Sequence, residues 1–345
     1  MKIFSNTSIK LIILTAIFTI LFYLYFLYLD IGQVIFNATR NNDGSLDILA
    51  VILNSWYFSF SLVILLVAII IYLIKYFAKN GPLYKKFIAI FIILLELLYT
   101  FVVSLYSMSP SFCFYPTKAI DSVYQISNVS EIEFDSNKAL YYDKGFDTLS
   151  ILFPGNGQSA SNIIYYLNDS AYLNEANSNF IVVDYPMFGY NYNRLDKKHV
   201  YSEAESIIDY SINKLGYTPN NIRIFGFSIG SGIAVYAASK YNVSELVLMA
   251  PYDYFTNVMN SYTPVFKGPL SLCNRFDFRP KDLAASINYK VTIYYSEYDT
   301  TVKSELSKSL SEAFTNMNLI SLDVKYHGMV LKNNIVISNM LNISI

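Results

Sequence analysis

The sequence predicts an α/β protein: a doubly wound, mainly parallel sheet preceded by an N-terminal helical transmembrane module. Uncharged apolar stretches of bilayer-spanning length fill the first 108 residues. From about residue 131, short buried-strand runs alternate with amphipathic helical stretches. At the end of one strand run stands a Gly-x-Ser-x-Gly sequence, Gly226-Phe227-Ser228-Ile229-Gly230.

The membrane module comes first in the chain. Of the 345 residues, 54% are hydrophobic and only 15% charged. A soluble domain usually carries about a quarter charged residues. Three helices account for the imbalance, at 11–29, 52–74 and 87–107. The first exceeds the apolar run of a signal peptide, and Tyr28-Leu29-Asp30 lacks the small residues of a cleavage site. Lys2 and Lys10 precede the first span, and Lys75, Lys79, Lys85 and Lys86 fill the loop between the second and third. The intervening loop has Arg40 alone, so the N-terminus is expected in the cytoplasm and everything after residue 108 outside it, in an integral membrane protein of bacterial inner-membrane type. Glu96 interrupts the third span, where an ionised carboxylate is costly. It reads either as a hydrogen-bonded lock between helices or as support for a transport role. Net charge is −1, which gives no reason to expect a nucleic-acid partner.

Residues 109–130 are expected to form a linker and 131–345 the catalytic domain, with a small cap around 252–289. An opening antiparallel hairpin is predicted from Glu131–Phe134 and Ala139–Asp143. The strand runs that follow are Leu149–Phe153, Phe180–Asp184, Ile222–Phe225, Leu246–Ala250, Val291–Tyr295 and Ile320–Lys325. Helices are expected around Ala160–Leu167, Tyr201–Leu215, Ile233–Lys240 and Lys303–Phe314. Such alternation implies right-handed crossovers, and ligands bind such sheets at the carboxyl ends of the strands. Cys113 and Cys273 match no metal-ligand spacing and are read either as one disulfide or as two free thiols.

The strand–turn–helix setting of Ser228 is that of a nucleophile elbow, in which a strained turn lifts the hydroxyl clear of the sheet. A serine hydroxyl needs a base. Of the two histidines, His327 follows the last strand run, whereas His199 begins a helix after two lysines and reads as surface. Asp299, after the Val291–Tyr295 run, is the expected orienting acid; Asp253 is the alternative, and Glu297 reads as solvated. Oxyanion donors are expected from the backbone N–H of Ile229, next to the nucleophile, and of Asn156 in Pro154-Gly155-Asn156-Gly157, with Gly155 second to it.

With these residues in place, the stretch from roughly 131 to 335 resembles the α/β-hydrolase superfamily, in particular its compact serine hydrolases with a membrane anchor. The order Ser228, Asp299, His327 is that of the superfamily. Pro154-Gly155-Asn156 stands where relatives have H-G-N, and Asp184-Tyr185-Pro186-Met187-Phe188-Gly189-Tyr190 loosely matches their D-Y-x-G-x-G. Ser296 to Val302 matches G-x-x-D-x-x-V with serine for the first glycine, and Val324 replaces a glycine before the histidine. The resemblance implies a carboxylic ester or thioester hydrolase working through an acyl-enzyme, with no metal or cofactor. The substrate it implies is a small or acylated molecule, with a lipid among the candidates. The aromatic residues of 252–289 (Phe255, Tyr262, Phe266, Phe276 and Phe278, beside Leu270 and Leu272) point equally to a lipid-like acyl group or to a cap burying its own core. The rival function is a catalytically inactive hydrolase fold serving as a membrane-bound binding or scaffold protein.

Overall fold

The computed structural model describes residues 113–344 other than Tyr192 and Arg194, together with scattered residues between 82 and 109. The expected spans at 11–29 and 52–74 lie outside the described residues, and that at 87–107 is described only in part. Among the described residues, no helix is long and apolar enough to cross a membrane. Residues 98–345 fall in one compact unit, with most of the preceding chain in another.

The chain first builds a hairpin of β1 (Val129–Phe134) and β2 (Asn137–Tyr142). Its two-residue turn, Asp135-Ser136, has φ of 46° and 66°, the paired positive values whose twist suits a tight hairpin. Strands β3 (Leu149–Phe153), β4 (Asn179–Asp184), β5 (Ile222–Phe227), β6 (Glu245–Met249), β7 (Val291–Tyr295) and β8 (Met317–Ser321) follow. Together they form one eight-stranded sheet in the order β1-β2-β4-β3-β5-β6-β7-β8. Strand β2 pairs antiparallel with β1 and with β4, and all other pairs are parallel. Every residue of β3, β4, β6 and β7 is buried, as parallel strands covered on both faces require.

The helices after residue 120 are α1 (Ala160–Asp169), α2 (Tyr172–Glu175), α3 (Lys197–Asn213), α4 (Ile229–Ala238), α5 (Phe255–Tyr262), α6 (Pro280–Ala284), α7 (Ser304–Ser311), α8 (His327–Leu331) and α9 (Asn334–Leu341). One face of the sheet contributes Leu140, Leu152, Phe180, Val182, Phe225 and Val247 to a core shared with Ile163, Ile164 and Leu167 of α1 and Val336 and Ile337 of α9. The intervening strand residues, such as Ile151, Ile181, Ile224 and Leu248, point to the opposite face because side chains alternate along a strand, and they are equally buried.

The last strand lies three residues earlier than the expected Ile320–Lys325, because edge strand β8 is only half-buried and carries no continuous apolar run to mark it. Helix α3 begins at Lys197, four residues before the expected Tyr201, since the Asp196 carboxylate accepts the His199 N–H and caps it. Of residues 109–130, expected as a linker, the described ones fall in the same compact unit as the sheet. Cys113 and Phe114 are fully buried, and a 3₁₀ turn at Asp121–Gln125 adds Val123 to the core. Within 252–289, Phe255, Phe266, Phe276 and Phe278 are buried while Tyr262 and Leu272 are exposed, and Phe276 and Phe278 pack against Phe114 from outside that stretch.

Candidate active site

Strand β5 ends at Phe227 and α4 starts at Ile229, so Ser228 alone makes the corner. Its backbone sits at φ 52°, ψ −120°, a conformation L-residues rarely hold. The corner persists because both sides of it are fixed. The Ser228 N–H donates to the Met249 carbonyl at 2.9 Å, and the Ser231 hydroxyl donates to the Ser228 carbonyl at 2.6 Å. Two glycines make the approach possible. A Cβ at Gly226 would lie 2.5 Å from the Ala234 Cβ, and one at Gly230 would lie 2.1 Å from the Phe153 carbonyl oxygen. The helix is thus packed directly against strand β5 and against the loop after β3.

His327 opens α8, and its Nδ1 lies 2.6 Å from the Asp299 Oδ2. The other oxygen of Asp299 accepts the N–H groups of Thr301 and Val302 at 2.8 and 3.0 Å, which holds the carboxylate in one orientation. The Asp299 side chain is almost fully buried. The imidazole stacks on Phe227, with ring centroids 4.9 Å apart and planes inclined by 27°. Because Phe227 precedes Ser228 in the chain, this contact brings His327 beside the Ser228 corner.

Asp253, the alternative acid, is engaged elsewhere. It accepts from the Tyr254 N–H, the Asn257 side chain and the Ser309 hydroxyl. Glu297 is paired with Lys308 at 2.6 Å, and that cation holds its carboxyl below the usual range. His199 is half-exposed and bonded to Asp196, away from the other candidates in role.

As the first residue of α4, Ile229 has an N–H without an i−4 partner in the helix, one of the free donors every helix start presents. The loop after β3 lies against the same helix start. The Gly155 N–H donates to the Gln158 side chain at 3.0 Å, and the Pro154 carbonyl accepts the Tyr185 hydroxyl at 2.8 Å. Tyr185 and Gln158 were not among the sequence candidates, although Tyr185 lies in the D-Y-x-G-x-G-like stretch. Asp184 of that stretch caps α1 by accepting the Ala160 N–H at 2.7 Å. Burial pushes its carboxyl up to about 7, and burial with the neighbouring Asp184 charge raises Glu203 well above the carboxylate range. Cys113 and Cys273 are both free and buried. Burial raises the Cys113 thiol, whose sulfur lies 3.7 Å from the Asn274 Oδ1.

The sequence is similar to two proteins of Acanthamoeba polyphaga mimivirus. One, uncharacterised, is 28% identical over 213 residues, covering 56% of this chain and 67% of its own. The other, provisionally named an alpha/beta hydrolase, is 25% identical over 173 residues, covering 48% of this chain and 60% of its own. The chain therefore spans roughly two thirds or less of the relatives it matches. Among solved structures, the esterase Pf2001 of Pyrococcus furiosus aligns with a TM-score of 0.49 at 18% identity, over 63% of this chain and 92% of that one. Est1E of Butyrivibrio proteoclasticus aligns with a TM-score of 0.47 at 17% identity, over 63% and 98%. No protein-family model matches the chain.

Proposed function

We propose that this chain is a membrane-anchored serine hydrolase that cleaves a carboxylic ester or thioester. What carries the proposal is the strained Ser228 at the strand–helix corner beside the 2.6 Å pair of His327 and Asp299. Sequence similarity to a viral protein provisionally named an alpha/beta hydrolase supports the same reading.

The Ser228 hydroxyl attacks the acyl carbonyl as its proton passes to the His327 Nε2. Asp299, bonded to Nδ1, fixes the tautomer that leaves Nε2 free to accept and stabilises the imidazolium that forms. The backbone N–H groups of Ile229 and Asn156 receive the oxyanion. The tetrahedral intermediate collapses, and the leaving alcohol or thiol takes the proton from His327. Water then enters by the reverse sequence: His327 takes one proton, hydroxide adds to the acyl-enzyme, and the acid departs as Ser228 regains its hydrogen.

Exposed apolar side chains stand next to the triad in the chain, with Tyr298 beside Asp299 and Tyr326 and Met329 beside His327. The exposed Tyr262 donates its hydroxyl to the Thr301 carbonyl in the acid loop. Such surroundings favour an acyl group of apolar character. Anchorage is supported by helical residues Leu83, Phe87, Ile90, Phe91 and Leu94, whose three- and four-residue spacing puts exposed apolar side chains on one stripe. The lysine bias supports an exocytoplasmic position for the catalytic domain.

Labelling of membranes holding the full-length protein with a fluorophosphonate probe tests the chemistry. Wild type is expected to label and Ser228→Ala not to. A folded wild type that stays unlabelled would remove the serine mechanism. Retention in the pellet after alkaline extraction tests the anchor, and release into the supernatant overturns it.

A further inference from the structure

The loop after β3 is gripped from outside as well as from the sheet. Residues 114–120 run across it. The Tyr115 N–H donates to the Asn156 Oδ1 at 2.6 Å, and the Ile120 N–H donates to the Ser161 hydroxyl at 2.8 Å. Between them the Thr117 carbonyl accepts the Gly189 N–H at 2.8 Å, and the Lys118 carbonyl accepts the Ser159 hydroxyl at 3.4 Å. Phe114 nails the upstream end. Its ring is fully buried, with centroids 4.8 to 6.3 Å from those of Phe276, Tyr185, Phe188 and Phe278.

We propose that this strap is a positioning element for the oxyanion loop and acts through the Asn156 side chain. The proposal rests on the hydrolase reading and adds a role to a residue so far assigned only a backbone N–H. Asn156 is flanked by Gly155 and Gly157, the latter at φ 74°, so its own neighbours restrict its peptide planes little. The Tyr115 N–H supplies the missing restraint by holding the carboxamide, which sets the direction of the Asn156 N–H. Tyr115 is itself fixed, between the caged Phe114 and Pro116. Without the tie, the loop's backbone would be ordered only as the oxyanion forms. Ordering one residue at that point slows the reaction by roughly tenfold.

The test uses full-length protein in membranes, with kcat and KM on a short chromogenic ester and the rate of fluorophosphonate labelling. Asn156→Ala keeps the backbone N–H but loses the tie, and Tyr115→Pro loses the donor. Each is expected to lower kcat and labelling rate by about tenfold with KM and Tm little changed, and the double variant to be no slower than either single one. Additive losses in the double variant, or an Asn156→Ala enzyme as fast as wild type, would overturn the proposal. Should Tyr115→Pro fail to accumulate, Phe114→Leu replaces it: it loosens the same strap, and should slow the wild type but not the Asn156→Ala enzyme. A wild type without labelling would instead remove the hydrolase reading itself.

Discussion

The Ser296 hydroxyl donates to the Val324 carbonyl at 2.5 Å, joining the loop that carries Asp299 to the loop that carries His327. Both positions hold glycine in the superfamily pattern the sequence resembles, so the two departures meet in space. Ser296 also accepts the Tyr298 N–H at 3.1 Å, so one buried side chain orders the acid loop and ties it to the next. Ser296→Ala should lower stability by about 1 kcal/mol. As the Asp299–His327 geometry loosens, kcat should fall by as much as roughly tenfold. Thermal unfolding beside steady-state kinetics reads both effects.

Asp299→Asn should leave the fold intact, because an amide oxygen can still accept the Thr301 and Val302 N–H groups. The amide NH₂ would face His327 Nδ1 and favour the tautomer with its hydrogen on Nε2. The base is then blocked, and kcat should drop by about 10³–10⁴ with KM near wild type. An activity within tenfold of wild type would return the acid's role to Asp253.

Gly230→Ala should abolish labelling of Ser228, since the new methyl would meet the carbonyl oxygens of Phe153 and Pro154 at 2.1 and 2.5 Å. Those are backbone atoms, and the oxyanion loop itself must move to clear them. Gly145→Ala is the control. Gly145 sits at positive φ but has open space around it, so the change should cost only about 1 kcal/mol and leave labelling untouched.

The buried carboxyls give a pH signature. In the unfolded chain Asp184 loses its proton near pH 3.9; in the fold, burial holds the proton until about 7. Between those values the folded state binds more protons, so this contribution to stability is greatest at low pH and is lost as pH rises towards 7. Glu203, also raised, adds in the same sense. Its Oε2 is buried without a hydrogen-bond partner among the described residues, which makes the charged form costly. Unfolding followed from pH 5 to 8 should show the fall, and Asp184→Asn should flatten it, since the amide oxygen still caps α1.

Much of the sheet was legible because β3, β4, β6 and β7 are buried along their whole length and so read as mainly apolar or β-branched runs. Ser228 and Asp299 stood out in the sequence because each comes soon after a strand run, and His327 because the chain has only two histidines. Helix α4 was not placed well from sequence. Gly230 and Gly232 look like breakers, yet the helix already begins at Ile229, where close packing demands small residues and outweighs propensity. The supporting hydrogen bonds escaped altogether. Tyr185 to Pro154 and Tyr115 to Asn156 join residues 31 and 41 positions apart, and no local pattern records such partners. Phe114 escaped for the same reason, being one aromatic among Phe112, Phe114 and Tyr115 in a segment with no period.

The caged ring of Phe114 also fixes where the chain can be divided. A fragment begun at β1 would keep every triad residue and all eight strands, yet it would leave an empty space the size of a benzyl group among four aromatic rings. Cavities of that kind cost about 3–5 kcal/mol, a large share of what holds a typical domain together. The Tyr106 ring, 5.3 Å from the Arg275 guanidinium, and the Ser109 hydroxyl, 3.3 Å from the Arg275 N–H, extend this seam further upstream. The natural cut therefore falls before Tyr106, and in any exchange of one N-terminal segment for another these few residues must travel with the sheet.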